Sequence, residues 1–190
     1  MITLAKRAVN LKEGLTIGQL AEARGQEPAD AVLDVLAESR GSAMVNAALM
    51  NEDNVRMGLL HPAVMIGSDG EARKPSGPLG IGRLHPRSYG AFPRVLGHYV
   101  RELGLLTLEQ AVHKMTGLPA KRLGLRDRGQ VVAGFKADIV AFNPHTVLDT
   151  ATYGDPYRYP AGIEHVLVNG QLVVEDGETV GRFPGKVLAK

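Results

Sequence analysis

Apolar positions follow a helical period over most of the first 128 residues and give way to short strand-like runs after Arg128. Ile2 to Ala8 reads as one short strand, followed by a loop over Asn10 to Gly14. Thr16-Ile17-Gly18-Gln19 has the form of a capping box, in which Thr16 and Gln19 satisfy each other's free backbone amides. Ile17, Leu20 and Ala21 then form a helix face, and Gly25 supplies its stop. A second helix starts at Pro28, a residue suited to a first turn. Ala29, Val32, Leu33 and Leu36 are its expected apolar face, and Gly41 closes it. Ala43 to Leu49 suits a short strand. Asn51-Glu52-Asp53 opens another helix with acids at its positive end. Val55 and Leu59 give that helix a buried side, and His61-Pro62 ends it.

Ala63-Val64-Met65-Ile66-Gly67 is apolar without alternation. That pattern predicts a strand buried on both faces, as in a parallel sheet. Ser68-Asp69-Gly70 stands at its exit. Residues 71–90 form a loop rich in Gly, Pro, Arg and Lys, longer than a connector requires. A helix is expected from Phe92 to Leu103, with Val95, Leu96, Tyr99 and Leu103 inward. Thr107-Leu108-Glu109-Gln110 is a second capping box, ahead of a face made by Leu108, Ala111, Val112 and Met115. Pro119 to Leu123 makes a last short helix, ended by Gly124. Gln130 to Val132, Asp138 to Phe142, Glu164 to Val168 and Leu172 to Glu175 read as strands. Asn169-Gly170 between the last two is a strong hairpin signal. The fold class is α/β over residues 1–128, followed by a small antiparallel β portion over 129–190.

Composition narrows the function. Of 190 residues, 44% are hydrophobic and 22% charged, enough to build a core of Leu, Val, Ile, Ala and Met. The net charge of +2 comes without a basic stripe, which argues against nucleic acid. There is no cysteine, so disulfides and thiolate metal sites are excluded. No apolar run reaches the roughly 18 residues of a membrane span, and no secretory leader is visible at Met1 to Asn10. A cytoplasmic location is the expectation.

Two places carry candidate chemistry. An acid at the exit of a buried parallel strand is where (β/α) barrels place catalytic groups. Asp69 there could bind a metal or accept a proton from metal-bound water; the plainer alternative is an Asx-turn with Gly70. His85 and Arg87 lie in His85-Pro86-Arg87-Ser88-Tyr89-Gly90. The Arg87 fork matches a carboxylate in bidentate geometry, and His85 could be a ligand or a hydrogen-bonding group. The alternative is a solvated loop. His61, His98, His113, His145 and His165 form no H-x-H or H-E-x-x-H pair and read as surface residues. Lys121-Arg122 and Arg126-Asp127-Arg128 read as a solvated rim, and Asp138 as a turn residue.

Ile66-Gly67-Ser68-Asp69-Gly70 and His85-Pro86-Arg87-Ser88-Tyr89-Gly90-Ala91-Phe92-Pro93-Arg94-Val95-Leu96 together resemble the D-aminoacylase branch of the amidohydrolase superfamily. Thr107 to Ala111, Thr116 to Ala120, Gly129 to Asn143 and Val166 to Gly170 resemble its last barrel helices and closing β-domain. The resemblance implies the carboxy-terminal part of a (β/α) barrel followed by part of a small antiparallel β-sandwich. It implies a zinc-dependent N-acyl-D-amino-acid deacylase that cleaves the acyl amide of a small N-acyl-D-amino acid. Asp69 would be the general base beside the metal and a possible metal ligand. Arg87 would grip the substrate's α-carboxylate, with His85 nearby. A dihydropyrimidinase-like cyclic amide hydrolase and a non-catalytic fragment or interaction module are the alternatives; Arg87 favours a substrate with a free carboxylate.

The family's H-x-H pair and cysteine ligand have no counterpart in this sequence. A full barrel takes about 250 residues, so only roughly its last quarter to third is expected here. Such a piece would expose sheet edge and helix faces. The isolated chain is therefore expected to self-associate or to require a complementary amino-terminal barrel segment. Size-exclusion chromatography checks this, and a stable monomer would count against it.

Overall fold

The computed structural model describes residues 2–5, 15–47, 49–77, 80 and 84–188. Its elements are β1 (Ile2–Ala5), α1 (Ile17–Arg24), α2 (Pro28–Glu38), β2 (Met44–Ala47), α3 (Glu52–Leu60), α4 (Arg87–Arg94), a π-helix (Val95–Glu102), α5 (Leu108–Met115), α6 (Gly117–Leu123), β3 (Ile139–Phe142), β4 (Ile163–Val168), β5 (Gln171–Glu175) and β6 (Glu178–Thr179). The chain divides into two compact units. The first comprises residues 1–51, 70–89 and 151–158, the second 52–69, 90–150 and 159–190. The loop expected at Asn10 to Gly14 lies outside the described residues.

In the first unit β1 and β2 pair antiparallel, Ile2 opposite Ala47 and Ala5 opposite Met44. The capping box before α1 is formed: Thr16 Oγ1 accepts the Gln19 amide at 3.1 Å, and Gln19 Oε1 accepts the Thr16 amide at 2.9 Å. Ile17, Leu20 and Val35 make the core between α1 and α2. Arg24 clasps Glu38 with two bonds of 2.9 Å. The expected face of α2 needs correction. Ala31 and Val35 are the buried positions, while Leu33 is 63% and Leu36 45% exposed. Packing against a single short helix uses one narrow i, i+4 stripe, so an apolar residue outside that stripe remains in water.

The second unit is centred on Leu59, Val95, Leu96, Tyr99, Leu106, Ala111 and Val147. The second capping box is also formed, with Thr107 Oγ1 accepting the Gln110 amide at 3.2 Å. The helix expected from Phe92 begins earlier, at Arg87, and widens to π spacing from Val95. Pro93 lies inside it and has no N–H to donate to the preceding turn; the wider spacing begins two residues later.

Four antiparallel strands form one sheet in the order β3-β4-β5-β6. Asn169 and Gly170 join β4 to β5 with φ of 49° and 78°, the left-handed pair that a tight hairpin requires. Arg128 braces this turn, contrary to its reading as solvated rim. Its guanidinium donates to Asp138 and, at 2.6 Å, to Asn169 Oδ1. Asp138 in turn accepts the Asn169 amide at 2.7 Å, and Asn169 Nδ2 donates to the Pro184 carbonyl at 2.8 Å. The strand expected at Gln130 to Val132 is not formed. Gly129 and Gly134 bracket it with φ of 85° and 90°, and Val131 is 85% exposed.

Residues 143–149 bind the helices of this unit to its sheet. Val147 is 1% exposed and passes between two glycines. A Cβ on Gly97 would stand 2.6 Å from the Val147 carbonyl oxygen, and one on Gly162 would stand 2.5 Å from the Val147 nitrogen. Gly97→Ala is therefore expected to destabilise the chain by about 1–3 kcal/mol through overpacking. Gly58→Ala in α3, where an added Cβ meets nothing within 4 Å, is expected to stabilise it by about 1 kcal/mol. Urea midpoints of the two variants check the opposite signs.

Candidate active-site residues

The segment leading to Asp69 is not the buried strand that its apolar run predicts. Residues 64–70 form neither strand nor helix, and Val64 and Met65 are 38% and 39% exposed. Among the described residues no parallel neighbour is present to give this run a ladder. A lysine holds it instead. Lys114, near the end of α5, is 6% exposed. Its ammonium donates to the carbonyl oxygens of His61 at 2.5 Å and Val64 at 3.1 Å. The Lys114 carbonyl accepts the Ile66 amide at 3.1 Å. Three bonds from one residue thus fix the path of 61–66, and Ile66 packs against the core.

Asp69 follows three residues later, in the second unit. It is exposed and left-handed, with φ of 45°. Aspartate is one of the few residue types that tolerates this conformation. The Lys114 anchor was not anticipated from the sequence. Its signal was a lysine three residues after Ala111, on the buried side of α5.

His85 and Arg87 belong to the first unit. Arg87 is exposed and opens α4 rather than lying in mid-loop. A cation in a first turn opposes the helix dipole, which favours an anion there. The structure brings His85 and Arg87 together: His85 Nδ1 accepts the Arg87 amide at 3.0 Å. On its other side, His85 Nε2 is 2.9 Å from the Tyr153 hydroxyl, with the two rings edge to face at 5.0 Å. Tyr89 donates to the Arg73 carbonyl at 2.6 Å and meets Tyr157 edge to face at 6.1 Å. Tyr153 and Tyr157 thus contact His85 and Tyr89, the residues two positions before and after Arg87.

The remaining charged groups are structural. Arg94 pairs with Asp149 at 3.2 Å. Burial works against the Arg94 charge, but Asp149 outweighs it and holds the guanidinium pKa above its ordinary value. Burial, together with the nearby Glu52 at 3.3 Å, pushes the Tyr99 phenol up. His98 bonds Glu102 at 2.7 Å and holds that carboxyl below its usual range. A groove of about 760 Å³ in the second unit is lined by Phe92, Leu96, Val112, Met115, Val140 and Ile163 among others. Asp69, of the same unit, does not line it.

Residues 13–174 match the family model described as "Amidohydrolase family". The chain belongs to the amidohydrolase family. It is 44% identical over 177 residues to the D-aminoacylase of Alcaligenes xylosoxydans xylosoxydans, which covers 93% of this chain and 34% of that relative. It is 48% identical over 141 residues to the N-acyl-D-glutamate deacylase of the same organism, covering 74% of this chain and 27% of that relative. The crystal structure of N-acyl-D-glutamate deacylase from Bordetella bronchiseptica, complexed with zinc and a phosphonate inhibitor, superposes with a TM-score of 0.72 at 40% identity. It covers 88% of this chain and 34% of that one. The amidohydrolase chain described here therefore spans about a third of the length of the relatives it matches.

Zinc sites need three or four His, Cys, Asp or Glu donors converging on one point. Among the described residues of this amidohydrolase no three such side chains gather, and the sequence has no cysteine. The donors among these described residues do not fit a complete zinc site. Also among the described residues, no helix is long and apolar enough to cross a membrane.

Lys114→Met would leave the His61 and Val64 carbonyls without their donor. The expected cost is about 1–3 kcal/mol, read from the urea midpoint, with faster hydrogen exchange at Ile66. An unchanged Ile66 amide would show that the lysine does not hold this segment.

Proposed function

We propose that the chain is the carboxy-terminal share of an N-acyl-D-amino-acid deacylase: the end of a (β/α) barrel over residues 1–128 and part of a β-sandwich over 129–190. The observation that carries this reading is the 44% identity to a D-aminoacylase and the 48% identity to an N-acyl-D-glutamate deacylase. The residues singled out by chemistry lie inside the matched region. The substrate is a small N-acyl-D-amino acid, and the bond broken is the acyl C–N.

Asp69 is the proton carrier. Its exposed carboxylate takes a proton from the attacking water as the water oxygen bonds to the acyl carbon. When the C–N bond breaks, the same proton passes to the leaving nitrogen. The products are a carboxylate and a D-amino acid. Arg87 holds the α-carboxylate of the substrate. Its position in the first turn of α4 supports this, because the helix end adds an attraction for an anion that a cation alone would lack. His85 orients that turn. A cyclic amide without a free carboxylate gives Arg87 no such role. Because the donors among the described residues do not complete a zinc site, the chain by itself is inactive. A complementary amino-terminal segment is the partner this requires.

The test is complementation. The pure chain with zinc is expected to leave N-acetyl-D-glutamate and N-acetyl-D-methionine intact. Mixed or co-expressed with the amino-terminal two-thirds of the Alcaligenes D-aminoacylase, it is expected to hydrolyse one of them. Asp69→Asn should lower kcat by about 10²–10⁴-fold, and Arg87→Met should raise KM at least about tenfold. Turnover by the complemented enzyme that survives Asp69→Asn would refute the assignment.

A further inference from the structure

We propose that Tyr153 is a positioning residue for Arg87, acting through His85. The inference rests on the reading of Arg87 as the carboxylate-holding group, but its physical core is a hydrogen-bond chain that stands apart from that reading. An imidazole nitrogen that accepts a backbone N–H must carry a lone pair. His85 Nδ1 accepts the Arg87 amide at 3.0 Å, so in the neutral ring the proton is on Nε2. That nitrogen faces the Tyr153 hydroxyl at 2.9 Å. Direction follows along the whole chain: the Arg87 amide donates to His85, and His85 donates to Tyr153.

The edge-to-face contact at 5.0 Å and 75° fixes the imidazole plane as well as its proton. The amide served by this chain belongs to the first residue of α4, one of the positions that have no acceptor within their own helix. His85 is thus the side-chain acceptor for the start of the helix that carries Arg87, and Tyr153 determines which way that acceptor faces. Residues 151–158 and 70–89 belong to the same compact unit, so the link joins two stretches far apart in sequence within one body. Tyr157, four residues on, meets Tyr89 edge to face, which gives a matched control from the same segment.

The experiment uses the full chain with ¹⁵N-labelled histidine and backbone, at a pH where His85 is neutral. Wild type is expected to show His85 protonated at Nε2, with Nδ1 as a bare acceptor and a slowly exchanging Nε2 proton. Tyr153→Phe keeps the ring but removes the oxygen. It is expected to abolish the slow Nε2 proton and to speed exchange of the Arg87 amide about fivefold, the equivalent of one hydrogen bond. Tyr157→Phe is expected to change neither. In the complemented enzyme, Tyr153→Phe should raise KM while kcat stays within about twofold. Unchanged His85 and Arg87 signals in Tyr153→Phe would overturn the proposal. If complementation yields no turnover, or Arg87→Met leaves KM unchanged, the deacylase or carboxylate reading fails instead, while the imidazole signals still decide the link.

Discussion

The second unit depends on a passage of backbone too narrow for any side chain. Val147 runs between Gly97 on the π-helix and Gly162 at the start of β4, and a methyl group on either glycine would collide with its peptide. The tight fit lets the backbone take over the fastening. The Asn143 amide donates to the Gly162 carbonyl at 2.9 Å, Leu148 and Ala161 exchange bonds of 3.2 and 3.0 Å, and Arg101 donates to the Val147 carbonyl at 2.5 Å. The Val147 side chain meanwhile completes the cluster formed by Leu59, Leu96 and Tyr99. Helices and sheet are thereby packed as one core, although their apolar faces are modest in size.

Local chemistry was legible wherever it was self-contained. Both capping boxes, the glycine stops after α1 and α6, and the Asn169-Gly170 hairpin follow from four or five adjacent residues whose partners are one another. The readings that failed needed a distant partner. Ala63 to Gly67 has the composition of a buried parallel strand, but a ladder requires neighbours, and Lys114 supplies its bonds instead. Leu33 and Leu36 have the spacing of a buried face, but among the described residues α2 packs against α1 alone, through Val35 and Val32. Arg128 looked like one more surface charge because nothing nearby in the sequence hints that it will reach the turn forty-one residues away.

The candidate site residues divide in the same way. Asp69 and Arg87 were picked out by residue type and by the motifs around them. Their settings were not legible: a left-handed backbone at Asp69, and the first turn of a helix at Arg87. Lys114, which bonds the segment ahead of Asp69, and Tyr153, which bonds His85, belong to no motif, since a buried lysine or a loop tyrosine has no signature until its partners are placed. Sequence similarity identifies the family, and the structure adds the contacts around the candidate residues.

The Asn169-Gly170 turn has a further consequence, for the chemical ageing of the protein. Asparagine followed by glycine is the dipeptide most prone to spontaneous deamidation, because the glycine nitrogen can attack the neighbouring carboxamide and close a succinimide ring. Here both reactants are held. The carboxamide is fixed at its oxygen by Arg128 and at its nitrogen by the Pro184 carbonyl, and the Gly170 amide is bonded to the Ala137 carbonyl at 2.9 Å. Ring closure must first break these bonds, so the bracing that fixes the hairpin also shields its most labile peptide link for as long as the chain stays folded.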